Sequence, residues 1–201
     1  MVMLIEELTA LKDYRTETLY LAVSVADRYL AKLARQKKQA PCLILLAATC
    51  ILIAAKMEQP KCPSFGNMVD LLFVRHGVKL GARDVVCMEE RILLALEFDL
   101  QSVTPLLFLE RFIRVFGLDQ SALGSEGQQI ECLALQYCMF SQRYPRFLDL
   151  LPSQVAAASI LAAINISISN AASHLRGMKT IDERRLRDHV FDVNVHGTLD
   201  H

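Results

Sequence analysis

Apolar residues recur at three- and four-residue intervals over 16–33, from Thr104 to Phe116, over 128–142 and over 153–168, with no sustained alternation in steps of two. This spacing predicts an all-helical chain. The stretch from Leu43 to Ala55 is different, because it is apolar on every side before it ends in Lys56-Met57-Glu58. A helix without a polar face needs neighbours all around it, so this one is expected at the centre of a helical domain. Breaks fall where turn chemistry predicts them: Pro41 ahead of the apolar block, Pro60 and Pro63 after it, then Gly77, Gly81, Gly117, Gly124, Gly127 and Pro145. Thr104 before Pro105 reads as an N-cap with proline at the first helical position, and Pro152-Ser153 opens a further helix.

A small-small-small-aliphatic-aliphatic block occurs twice, as Ala48-Thr49-Cys50-Ile51-Leu52 and as Ala157-Ala158-Ser159-Ile160-Leu161. Small residues let helices approach closely, so each half is expected to own one central helix of a compact bundle. In that register Lys56 falls opposite Asn165, which leaves the charge to the first half alone. A partner for it lies in Met88 to Leu100, an amphipathic stretch carrying Glu89 among aliphatic residues. The two segments predict a buried lysine and glutamate beside an apolar surface. On spacing alone, a lysine in the last turn also complements the helix dipole and reaches water along its stem.

Composition narrows the class without naming it. Of 201 residues, 53% are hydrophobic and 22% charged, with zero net charge; this excludes disorder and gives no global attraction for nucleic acid or anionic membrane. Partner choice must come from local surface. The six cysteines form no C-x-x-C pair, and four lie inside apolar helical patterns, so buried reduced thiols are expected rather than zinc or disulfides. The apolar run at 43–55 is too short to cross a bilayer, and no signal-peptide pattern opens the chain; a cytosolic or nuclear protein is expected.

The chain resembles the cyclin family through nearly its whole length. Glu17 to Val23 leading into Asp27-Arg28-Tyr29-Leu30, then Leu45 to Glu58, then Met88-Glu89 to Leu100 look like a first cyclin box. Thr104-Pro105, Phe108-Leu109 and Leu151-Pro152-Ser153-Gln154 to Ala158 look like the second box of A- and B-type members. The resemblance implies an all-α fold of two tandem five-helix boxes, 1–100 and 101–201, the second abbreviated. It implies a non-catalytic regulatory subunit, without cofactor or metal, whose partner is a cyclin-dependent kinase catalytic subunit and through it kinase substrates. The first box would grip the kinase αC helix and turn its glutamate toward the active-site lysine, the arrangement phosphoryl transfer requires. By matching position, Lys56 and Glu89 look like the pair that hydrogen-bonds kinase backbone, with Ile53, Met57, Glu58, Leu93, Phe98 and Leu100 around them. Localisation in the nucleus, the cytoplasm or both goes with that reading.

The resemblance also has gaps. Leu4-Ile5 stands where the family carries Trp-Leu, and the arginine that pairs with the aspartate of the Asp-Arg block has no counterpart, so Asp27 is expected to lack its partner. Thr180 to Val193 reads as a last helix capped by Thr180.

Two rival classes have weaker support. A transcription-type cyclin, or a cyclin-fold adaptor resembling transcription factor IIB, would bind protein or nucleic acid without activating a kinase. The adaptor needs a basic face, and Arg35-Lys37-Lys38 and Arg184-Arg185-Arg187 are small clusters. A helical enzyme would need chemistry that is not legible here: the five histidines are scattered at expected loops and ends, and no H-E-x-x-H, phosphate loop or nucleophile elbow occurs.

Overall fold

The computed structural model describes residues 1–61, 65–118 and 123–172, and those residues are helices and connections with no strand among them. They divide into two units, Met1–Ser102 and Val103–His201. The first holds α1 (Val2–Leu11), α2 (Thr16–Arg35), α3 (Leu43–Glu58), α4 (Phe65–His76) and α5 (Ala82–Ala95). The second holds α6 (Pro105–Val115), α7 (Ser125–Ser141), a short 3-10 turn (Pro145–Phe147) and α8 (Pro152–Ala172). The last helix expected at Thr180–Val193 lies outside the described residues.

The all-apolar block is the hub of the first unit. Every residue from Leu46 to Ala55 is buried, and α1, α2 and α5 all pack against α3. α2 turns Leu19, Ala22, Val23 and Ala26 inward, and α5 adds Val85, Met88 and Ile92 at helical spacing. Inside, Thr49 Oγ1 donates back to the Leu45 carbonyl at 2.7 Å, so a buried hydroxyl is satisfied within its own helix. At the end of α3, the Gln59 amide donates to Thr18 Oγ1 at 2.7 Å and ties the helix terminus to α2.

The second unit repeats the scheme in part. α8 packs against α6 and α7 and buries Ala156, Ala157, Ile160, Ala163 and Ile164. It is not surrounded as α3 is: Ala158 faces solvent, and Ile166 and Ile168 are 36% and 43% exposed. Among the described helices of this unit two, α6 and α7, pack on it, where α3 has three. Pro152 does open α8, and Thr104 does precede Pro105 at the start of α6, although the Thr104 hydroxyl makes no capping bond.

Two expectations need correction. Burial applies to Cys50 and Cys138, whereas Cys42, Cys87 and Cys132 are exposed free thiols, because the last two ride on solvent faces of α5 and α7. Cys62 lies outside the described residues. His76, expected to be solvated, is half-buried at the end of α4 with Nε2 3.9 Å from Glu7 Oε2; the other four histidines are outside the described residues.

Asp27 is a half-buried carboxylic acid on α2. Burial pushes its carboxyl above the ordinary value of 3.8, and the chain's amino terminus only partly offsets this. Burial pushes the nearby Cys50 thiol far up, and the Asp27 charge adds to it. An acid whose pKa is raised by folding releases its proton first in the unfolded chain, so stability falls as pH rises through the window just above 3.8. Asp27→Asn is therefore expected to be more stable than the natural chain at pH 7, with the gap closing below about pH 3.8; melts at both pH values check this, and a less stable variant at pH 7 contradicts it. In native protein, a thiol reagent should label Cys42, Cys87 and Cys132 quickly and reach Cys50 and Cys138 only on unfolding. Mass spectrometry of the labelled peptides reads that pattern directly.

Candidate functional site

The candidate site starts from the last turn of α3. The helix runs out of apolar residues at Lys56, whose ammonium lies 2.6 Å from Glu89 Oε1 and 2.8 Å from Oε2 in the middle of α5. Both carboxylate oxygens are thus engaged by one cation. The pair was expected to be buried, and it is not: the Lys56 side chain is 45% exposed and that of Glu89 21%. A stem of four methylenes leaves the core with the helix end and carries the charge to the surface. An ammonium has three donors and each carboxylate oxygen a second lone pair, so the pair keeps one donor and several acceptors for an incoming main chain.

Apolar surface adjoins it. Met57 follows Lys56 and is 44% exposed. Leu93 is half-buried one turn after Glu89, on the same face of α5. Phe98 lies beyond the helix end at 66% exposure, with its amide donating to the Leu93 carbonyl at 2.9 Å, which brings its backbone beside Leu93. Glu58 and Leu100 are half-buried. Ile53 is the exception among the expected site residues. At 2% exposure it belongs to the core, since α3 is enclosed on all sides until its last turn, and it offers no surface to a partner.

The end of α5 has an unusual backbone. Glu97 N–H donates to Leu94 O and Phe98 N–H to Leu93 O, the paired closure that places the residue after the C-cap in the left-handed region. Glycine commonly fills that position; here Glu97 has φ +56° and Phe98 follows at +60°. Left-handed non-glycine residues cost on the order of 1 kcal/mol each. Lys32 Nζ holds Glu97 Oε1 at 2.9 Å, and this hydrogen bond and its charge keep the Glu97 carboxyl below the usual carboxylate range.

Sequence reasoning did not find three parts of this surface. Val86 and Leu94 of α5 are 60% and 59% exposed; Val86 stands three residues before Glu89, a spacing that could have placed it on the same face. The third part is the pair Arg28 and Lys32, cations four apart on α2 whose common face was the available signal. No group of three or more His, Cys, Asp or Glu side chains is placed to hold a metal among the described residues, and no described helix is long and apolar enough to cross a membrane.

Comparison with known proteins places this geometry in a family. The model of the cyclin N-terminal domain matches residues 1–101 and that of the cyclin C-terminal domain matches residues 103–194. The chain belongs to the cyclin family. It is 34% identical over 160 residues to Cyclin-A1-1 of Arabidopsis thaliana, covering 76% of this chain and 31% of that protein. To the G2/mitotic-specific cyclin-B of Dictyostelium discoideum it is 31% identical over 155 residues, 77% of this chain and 32% of that one. Cyclin-D1-2 of Oryza sativa subsp. japonica is 35% identical over 149 residues, 73% and 39% of the two chains. The chain thus spans about a third of the length of these relatives. The X-ray structure of a viral cyclin from herpesvirus saimiri superposes with a TM-score of 0.65 at 20% identity, covering 82% of this chain and 68% of that one, which shows the cyclin fold.

A half-exposed ion pair contributes little to folding, typically below about 1 kcal/mol. The Lys56→Ala/Glu89→Ala double variant is therefore expected to unfold within about 1 kcal/mol of the natural chain in a urea titration. A loss of several kcal/mol would mean that the pair serves the core rather than the surface.

Proposed function

We propose that the first unit binds and activates a cyclin-dependent Ser/Thr kinase by docking on its αC helix, and so controls progression of the cell cycle. The observation that carries this reading is the exposed Lys56–Glu89 pair set beside Met57, Leu93 and Phe98. Solvent-facing aromatic and aliphatic residues around a polar pair with unused hydrogen-bonding capacity suit a helix terminus, whose unpaired backbone groups need partners. In protein kinases the position of αC decides whether the lysine–glutamate pair of the active site forms. A partner that prefers the αC-in arrangement shifts the kinase population toward it by its differential affinity. The printed names of two relatives, cyclin A and mitotic-specific cyclin B, support the cell-cycle branch of this reading. In this role the chain is a regulatory subunit without catalytic residues of its own, working with its kinase in the nucleus or the cytoplasm.

The test mixes the chain with a panel of purified monomeric cyclin-dependent kinases and scores complex formation by size-exclusion chromatography and phosphorylation of a histone peptide. Binding with activation of at least one kinase is expected, and absence of binding across the panel overturns the proposal in favour of an adaptor. Against the kinase that responds, the Lys56→Ala/Glu89→Ala variant should lose at least about tenfold in affinity, ~1.4 kcal/mol, with unchanged circular dichroism. Full activation by that variant would remove these two residues from the interface.

A further inference from the structure

Four described helices, α1, α2, α5 and α6, end in the same way, with the residue after the C-cap left-handed at Asp13, Lys37, Glu97 and Gly117. Each of these residues and the one after it donates its amide back into the last turn. At three of the four ends the chain leaves the left-handed region at once, whereas after α5 Phe98 is left-handed as well. A bulky aromatic residue is a poor occupant of that region. Its ring is two-thirds exposed, so core packing does not hold it there.

What distinguishes this end is a bracket reaching over from α2. Arg28 Nη2 donates to the Asp99 carbonyl at 2.8 Å and to Asp99 Oδ2 at 2.9 Å, and Nη1 donates to the Gln101 carbonyl at 3.2 Å. One turn along α2, Lys32 Nζ donates to Glu97 Oε1 at 2.9 Å. The residues on either side of Phe98 are thus pinned by two cations of one helix face. The rigid guanidinium fork fits this task, because it binds backbone and carboxylate together in one plane.

We propose that Arg28 and Lys32 are positioning residues for the docking surface: by clamping Glu97 and Asp99 to α2 they fix the double left-handed turn that presents Phe98 outward. Neither cation touches the Lys56–Glu89 pair, so their effect on a partner passes through Phe98. The inference rests on the kinase-docking reading above for its functional half, and on the turn alone for its structural half.

Two measurements separate these halves. Amide hydrogen exchange on the free 201-residue chain reads the clamp without a kinase: Arg28→Gln should speed exchange at Phe98 and Asp99 by about tenfold or more while the amides of α3 stay protected. Unchanged exchange at those two amides overturns the proposal. Affinity for the responding kinase is then measured for Arg28→Gln, Phe98→Ala and the double variant. Each single change should weaken binding by about fivefold or more, and the double variant should be no weaker than Phe98→Ala alone. Losses that multiply overturn the proposal, because the arginine would then act elsewhere. If Arg28→Gln does not fold, Lys32→Gln, which removes only the outer bond, replaces it in both experiments with the same expected pattern. A Phe98→Ala chain that binds the kinase as well as the natural one rejects Phe98 as an anchor and with it the functional half, whereas a chain that binds no kinase rejects the docking reading itself.

Discussion

Helix α3 is enclosed from Leu46 to Ala55, and the first unit is organised around that enclosure. Because no face of it is polar, at least three neighbours must cover it, and α1, α2 and α5 do so. Close approach is possible where the helix offers Ala47, Ala48, Cys50, Ala54 and Ala55. The same constraint sets the candidate site. A helix that is buried all round can present polar chemistry only where it ends, so Lys56 emerges in its last turn, and it meets Glu89 because α5 is one of the covering helices. Site geometry is in this sense a by-product of how the core is closed.

Exposure then becomes the informative quantity. Met57, Val86, Leu94 and Phe98 are large apolar side chains left in water on or next to α3 and α5, at 44–66% exposure. Single exposed hydrophobes are ordinary on any protein surface; several of them on neighbouring helix ends fit the docking surface that we propose. The backbone agrees with the side chains here, since a left-handed phenylalanine persists only when its surroundings over-determine it. Strain concentrated at a site of recognition is intelligible if the shape it enforces is what a partner reads.

Much of this was legible in the sequence. The spacing of apolar residues marked α2, α3, α6, α7 and α8, and the unbroken run from Leu43 to Ala55 marked the centre. The partnership of Lys56 with Glu89 was read from the two apolar segments and again from the ordered motifs, but as a buried pair. They are half-exposed because the lysine stem is long enough to leave the core. Ile53 was misassigned for a related reason: it shares a face with Met57, but only the final turn of α3 escapes its neighbours. α4 carries too weak a periodic signal between Pro63 and Gly77 to be separated from a loop. The turn at Glu97–Phe98 was illegible because neither residue favours the left-handed region, and the contacts that flank it come from Arg28 and Lys32, about 70 residues away in sequence.

The central claim is that the ends of α3 and α5 form the surface that a cyclin-dependent kinase covers. The most direct measurement compares amide hydrogen exchange of the chain alone and saturated with a monomeric cyclin-dependent kinase that binds it. The account predicts new protection at Met57–Glu58 and across Glu89–Leu100. Saturated complex with no new protection in those two segments, or with protection confined to α6–α8, would contradict it.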